Sequence, residues 1–251
     1  MHRERRAEHA GVAYTLEIEG IEPLIDLDFD RLYAQGVRGE WNSVRIRCHE
    51  LLAATPTCVW PHLLLGYAEL SEKKLELAYT HFHEGIRLPQ PLGSEACAGA
   101  GRSLVGLGRV HEAISLLHEH VNRCPECHFT WHALGVAIAA LGDYEHAWLC
   151  AQRATELCPT HTESVWLLVS AGSALGRHSE LIVSLEGVQR AQPWNLDVRG
   201  ARALSLLREG RRTEALDEMT RVLSFAPFIK TSPDVLEMIR QSMSTAYTGE
   251  A

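Results

Sequence analysis

Prolines set the period of this chain. Pro56 and Pro91 stand 35 residues apart, and Pro91, Pro125, Pro159, Pro193 and Pro227 follow at intervals of 34. Glycines keep step, with Gly108, Gly142, Gly176 and Gly210 again 34 apart and Gly39 fitting one end. Ala78, Ala113, Ala147 and Ala215 each fall five residues past the glycine slot. Three residue types held in one register mark a chain built from one repeated supersecondary unit. Such a unit buries its open face on the next copy.

Two helices per cycle explain the spacing. In the fourth cycle FTWHALGVAIAAL places Trp131, Leu134 and Ile138 on one helical face. Gly142 then suits the left-handed turn that ends the helix. The following YEHAWLCAQRATEL places Tyr144, Ala147, Ala151 and Ala154 on an inner side, three to four residues apart. Pro159 cannot continue that helix and biases Cys158 away from helical geometry. One cycle is therefore helix, tight turn, helix, proline.

At these positions the chain resembles the tetratricopeptide-repeat family, whose pattern is W-x₂-L-G-x₂-Y…A-x₃-F…P over 34 residues. Trp131, Leu134, Gly135, Ala147 and Pro159 match in the fourth cycle, with Ile138 for the tyrosine and Ala151 for the phenylalanine. The second cycle supplies Leu65, Gly66, Ala78 and Phe82, but Trp60 sits two places early and Lys73 replaces the turn glycine. The fifth keeps Leu168, Gly176 and Pro193, with Val169 and Leu181 in small-residue slots; the sixth keeps Ala203, Leu206, Gly210, Ala215 and Pro227. The expected fold is an all-α solenoid of about six helix-turn-helix repeats, at 25–58, 59–93, 94–127, 128–161, 162–195 and 196–229. Residues 230–251 add a capping helix and tail, with Ser232 as N-cap, Pro233 in the first turn, and Val235, Leu236, Ile239 and Met243 on one side.

Residues 1–24 form a separate acidic segment, and TLEIEGIEPLIDLDFD alternates apolar and acidic residues with a strand-like period. Two readings stand: an extended lead-in that merges with the first helix, or a small hairpin turning near Gly20 that covers the end of the array. Asp28 is a candidate cap for a short first helix running to Gln35. The Asp26-x-Asp28-x-Asp30 run lacks the glycine and terminal glutamate of a calcium loop.

Charge narrows the partners. Lys and Arg total 24 against 32 Asp and Glu, so the net charge is -8, a poor footprint for displacing counterions from nucleic acid. Uncharged stretches such as 133–142 and 165–176 fall short of the ~20 apolar residues needed to insert in a membrane. MHRERRAEHAG has no apolar run behind it, unlike a secretory signal. Seven cysteines, an odd number, point to reduced thiols and a cytoplasmic location.

Few residues suggest chemistry. Cys124-Pro-Glu-Cys127-His128 spells a haem-attachment motif and offers two zinc ligands, with His120, His132 or His161 as further candidates. Haem attachment normally follows export, however, and Pro125 occupies the repeat's own proline slot. The turn therefore reads first as an inter-repeat connection, with metal or haem binding as the alternative. His81, His83, His111, His118, His120 and His146 lie on second helices beside charged neighbours and read as solvated surface. No Gly-x-Ser-x-Gly elbow or His-Glu-x-x-His helix is present, and GSEACAGAGRSLVGLG lacks the lysine of a phosphate loop. The expectation is a protein that is not an enzyme and has no cofactor.

The resemblance instead implies a groove formed by first helices, with repeat positions 2, 5, 9 and 12 facing it. Those positions hold Trp60, Leu63 and Tyr67 in the second cycle and Arg102 in the third. They hold Phe129, His132 and Val136 in the fourth cycle and Trp166 in the fifth. Relatives that grip a C-terminal carboxylate use Lys, Asn and Arg there; here Arg102 is the single cation among Leu63, Tyr67, Ala98 and Gly200. The groove is suited to another protein, presenting an apolar peptide or amphipathic helix. The function class is an adaptor, scaffold or chaperone, with self-assembly into a homo-oligomer as a further possibility.

Overall fold

The computed structural model describes residues 26–88 and 93–248. Among them are thirteen α-helices and no strand. The N-terminal segment 1–24, including the hairpin considered near Gly20, lies outside the described residues. The chain divides into two compact units, 1–103 and 104–251.

The first unit contains α1 (Asp26–Val37), α2 (Trp41–Ala54), α3 (Val59–Ser71) and α4 (Leu75–Arg87), followed by the start of α5 (Gly93–Gly106). The Asp26–Asp30 run is helical, so Asp28 lies inside α1 rather than capping it, and the helix extends past Gln35 to Val37. Leu32, Val44, Cys48, Cys58, Trp60, Leu64 and Leu65 form its core, with Phe29 and Trp41 packed against them. Phe82 is fully buried, and its ring fills the space beside both Gly66 and Gly99. A Cβ on Gly66 would stand 2.6 Å from that ring, which explains the small residue.

The second unit contains α6 (Val110–Arg123), α7 (His128–Ala139), α8 (Tyr144–Leu157), α9 (Thr162–Ala174), α10 (His178–Ala191), α11 (Leu196–Arg208), α12 (Arg212–Phe225) and α13 (Pro233–Thr248). α8 packs between the first helices α7 and α9, and α10 between α9 and α11. First helices also touch one another, α7 against α9 and α9 against α11. Ala147, Ala151 and Ala154 have no exposed surface, but Tyr144, expected beside them, is 40% exposed. Tyr144 is the first residue of α8. At the C-terminal end Val235 and Ile239 of α13 close over Leu196, Ala203, Met219 and Val222. Gly200 permits that approach, since a Cβ there would lie 2.5 Å from Val235.

The turn glycines take the conformation their spacing suggested. Gly39, Gly108, Gly142, Gly176 and Gly210 all have positive φ, between 68° and 93°. The chain then bonds back across the helix end, as in Arg177 N to Gly172 O at 2.9 Å and Arg211 N to Leu206 O at 2.9 Å. Lys73 adopts the same geometry without being glycine, at φ 60°.

Candidate partner-binding face

The groove positions separate into core and surface. In the first unit Leu63 is fully buried and Trp60 is 7% exposed, its ring edge-on to Phe29 at 6.3 Å. Both therefore support the fold and offer no surface to a partner. α3 begins at the same repeat position as α7, α9 and α11, so its phase is the usual one; Trp60 is buried because Phe29 of α1 packs over it. Tyr67 is half-buried and Arg102 exposed. Tyr67 meets Tyr33 at 5.7 Å and Phe82 at 5.3 Å, edge to face in both contacts.

The second unit brings its positions together. Phe129, Val136 and Trp166 are half-buried, while His132 is 8% exposed. Phe129 and His132 both pack on the imidazole of His161, at 5.3 and 5.1 Å. His161 is the residue before α9 and caps it: Nδ1 lies 2.6 Å from Ser164 Oγ and accepts a bond from Ser164 N at 3.3 Å. Its Nε2 is 3.3 Å from Glu163. His128 joins the same cluster, 4.0 Å from Phe129 and 5.0 Å from His161, and burial with the nearby His161 lowers its pKa to about 4. Sequence reasoning weighed His161 only as a zinc ligand; its place one residue ahead of a first helix was the available signal. Further along, Trp166 lines a cleft of about 10 Å³ with Val169, Asp197 and Ala201, room for roughly one water. Ser170 and Ser173 continue the Trp166 face of α9 and are exposed.

The Cys124–Cys127 turn is a connection held from within. Trp131 Nε1 donates to the Pro125 carbonyl at 2.7 Å, and Arg153 reaches Glu126 at 2.8 Å. Cys124 is exposed, Cys127 half-buried, and none of the seven cysteines is in a disulfide. Among the described residues no three His, Cys, Asp or Glu side chains converge as a metal requires. His128 turns toward Phe129 and His161 instead. His120, expected on the surface, is 7% exposed, whereas His111, His118 and His146 are exposed.

The architecture has counterparts among solved structures. A thermophilic TPR protein of Thermus thermophilus aligns over 74% of this chain and 99% of its own, at 22% identity and a TM-score of 0.52. A tetratricopeptide-repeat protein of Parabacteroides merdae aligns over 88% and 85%, at 14% identity and a TM-score of 0.54. YrrB, described as a TPR protein with an unusual peptide-binding site, aligns over 72% and 93%, at 19% identity and a TM-score of 0.50. This is the tetratricopeptide-repeat fold. Residues 135–224, within its second unit, also match the bacterial transcriptional activator domain family. Among proteins of curated function, none matches the sequence.

Two further features of this chain escaped the sequence reading. Trp194 and Phe228 are 71% and 84% exposed, and each follows a repeat proline, so they occupy one register on successive inter-repeat turns. The segment after Phe228 is tied to the start of α11, where Asp197 accepts a bond from Ser232 N at 2.8 Å. The second-helix side carries a broader depression of about 290 Å³ between α8 and α10, lined by Gln152, Glu156, Val183 and Gly187.

Proposed function

We propose that this chain is a non-enzymatic protein-interaction module, an adaptor, scaffold or chaperone, whose first helices receive a peptide or amphipathic helix of another protein. The observation that carries this reading is the run of half-buried Phe129, Val136 and Trp166 along α7 and α9. Apolar side chains of this kind gain most when a partner removes their remaining surface from water. The peptide-binding site named for the similar YrrB structure supports the same class of ligand. Seven cysteines outside any disulfide suit a reducing cytoplasm, and among the described residues no helix is long and apolar enough to cross a membrane. Excess negative charge favours a protein partner over nucleic acid.

The match over residues 135–224 favours a second, narrower reading in which the partner belongs to a bacterial transcription complex. Site-specific photocrosslinking tests both. A benzophenone side chain at Ser170, on the first-helix face, should capture a partner that the same group at Leu149, on a second helix, does not. Transcription proteins among the captured species would support the narrower reading; capture of this chain itself would indicate self-assembly. Equal capture from both positions would contradict the assigned face.

A further inference from the structure

Three inter-repeat turns of the second unit close with the same backbone bond. Cys127 N donates to Cys124 O at 3.4 Å, His161 N to Cys158 O at 3.1 Å, and Asn195 N to Gln192 O at 3.1 Å. In each, the first residue is the C-cap of a second helix and the last is the N-cap of the next first helix. Of the three, the Cys124 turn alone carries a cysteine at both ends.

That placement has a chemical consequence. A bond from residue i to i+3 makes a β-turn, whose end Cα atoms lie within ~7 Å of each other. A disulfide spans Cα atoms ~4.4–6.8 Å apart, so the folded turn already holds its two cysteines near bridging distance. Both ends are fixed. Cys124 N donates to His120 O at 2.8 Å in the last turn of α6, and Cys127 O accepts from Trp131 N at 3.3 Å in the first turn of α7. The residues between them are held too, Pro125 by the Trp131 indole and Glu126 by Arg153. Folding has therefore ordered the chain that a ring closure would otherwise have to order.

Access sets this pair apart from the other cysteines. Cys124 is exposed and Cys127 half-buried, whereas Cys48, Cys58, Cys97 and Cys150 are buried. Cys158 is half-buried in a separate turn, with Sγ 3.3 Å from Thr160 Oγ1.

We propose that Cys124 and Cys127 form a redox-active dithiol, a modification site whose oxidant is a low-molecular-weight disulfide. The Cys124 thiol gives its proton to water, and its thiolate attacks one sulfur of the small disulfide. The bond between the two small sulfurs breaks, one leaves as a thiolate, and a mixed disulfide remains on Cys124. The Cys127 thiol loses its proton in turn, and its thiolate attacks Cys124 Sγ and expels the second small thiolate. Both expelled thiolates take up a proton. Two protein thiols are thereby oxidised to one disulfide, and one small disulfide is reduced to two thiols. The new bond ties the end of α6 to the start of α7. The site asks nothing of the first-helix face and stands apart from the interaction reading.

The test equilibrates the full chain, folded and in urea, with graded mixtures of glutathione and glutathione disulfide in the absence of oxygen. Alkylation of the remaining thiols and mass spectrometry then count and place the oxidised cysteines. The folded chain should lose two hydrogens, with the bond mapped to Cys124 and Cys127. It should reach half oxidation in a mixture at least tenfold more reducing than the urea-unfolded chain requires, because the folded turn alone holds the two ends together. Cys127→Ser should stop at the mixed disulfide, with one glutathionyl group on Cys124. Cys124→Ser should react at least tenfold more slowly than Cys127→Ser, since its remaining thiol is the less accessible one. A folded chain that carries separate glutathionyl groups, or that bridges Cys124 to another cysteine, would overturn the proposal. Equal midpoints for the folded and unfolded chain would overturn it as well.

Discussion

The indole of Trp148 occupies the space in which a side chain on Gly172 would stand. Trp148 has no exposed surface, and a Cβ on Gly172 would overlap its six-membered ring. This contact joins α8 to α9 at the centre of the second unit. Gly172→Ala should therefore destabilise the protein by about 1–3 kcal/mol through overpacking. Gly187, in the interior of α10, has nothing within 4 Å of its would-be Cβ. Gly187→Ala should instead stabilise by about 0.5–1 kcal/mol, from helix propensity alone. Thermal denaturation of the two variants checks the opposite signs.

Lys73 is the odd member of the turn series. It holds φ 60° where five other turns use glycine, and a left-handed L-residue costs about 1–2 kcal/mol. Lys73→Gly should raise stability by about 1 kcal/mol, part of the gain being offset by the greater freedom of unfolded glycine. Among the described residues Lys73 forms no ion pair, and it is its neighbour Lys74 that contacts Glu69 and Glu72. A chemical denaturation midpoint that fails to rise would show that Lys73 has another structural role.

Glu218 serves two arginines of α11. It lies 2.7 Å from Arg199 and 3.4 Å from Arg202, and Glu186 contacts Arg202 from the other side at 2.9 Å. The Glu218 side chain is 13% exposed, so removing it leaves two largely buried guanidinium groups short of a partner. Glu218→Ala should cost about 2–3 kcal/mol, below the full penalty of a wholly buried pair because Glu186 remains. A double-mutant cycle with Arg199→Met should recover part of that loss.

Acid should weaken the fold before its carboxylates are fully protonated. Burial lowers the pKa of His62, His81, His120 and His128, the last to about 4 from an ordinary 6.5. A histidine with a depressed folded pKa is neutral in the native state while the unfolded chain takes up protons, so stability falls as pH drops from about 6.5 toward 4. Glu95 has the opposite sign, its contribution being lost as pH rises above its unfolded value. The melting temperature should decline between pH 7 and pH 5, and His128→Gln should flatten that decline. An unchanged slope would contradict the assignment of His128.

The repeat was legible because its signals are local. A glycine that must adopt positive φ and a proline that must leave a helix can be read without knowing any partner, and Gly142 with Pro159 bounds α8 for those reasons. The resemblance placed Leu63 and Trp60 on the surface, but both are buried, Trp60 beneath Phe29 of α1. Such covering depends on the flanking helix, which a position count ignores. The cluster of Phe129, His132 and His161 was only half visible, since its third member comes from the cap of another repeat. Exposed Trp194 and Phe228 share a repeat slot, yet the pattern assigns that slot to a turn and says nothing of how far it protrudes.

The central claim is that partners bind the face carrying Trp166. Ser170 and Ser173 lie on that face and are exposed, so Ser170→Arg/Ser173→Arg places two large cations there without entering the core. Leu149→Arg/Val183→Arg makes the equivalent change on second helices, at side chains 56% and 68% exposed. Affinity capture from the source lysate, quantified by mass spectrometry with all three proteins matched for helical content, compares the faces directly. The account predicts that the partners of the unmodified chain are lost from the Ser170/Ser173 variant and kept by the Leu149/Val183 variant. Retention by the first and loss from the second would contradict it.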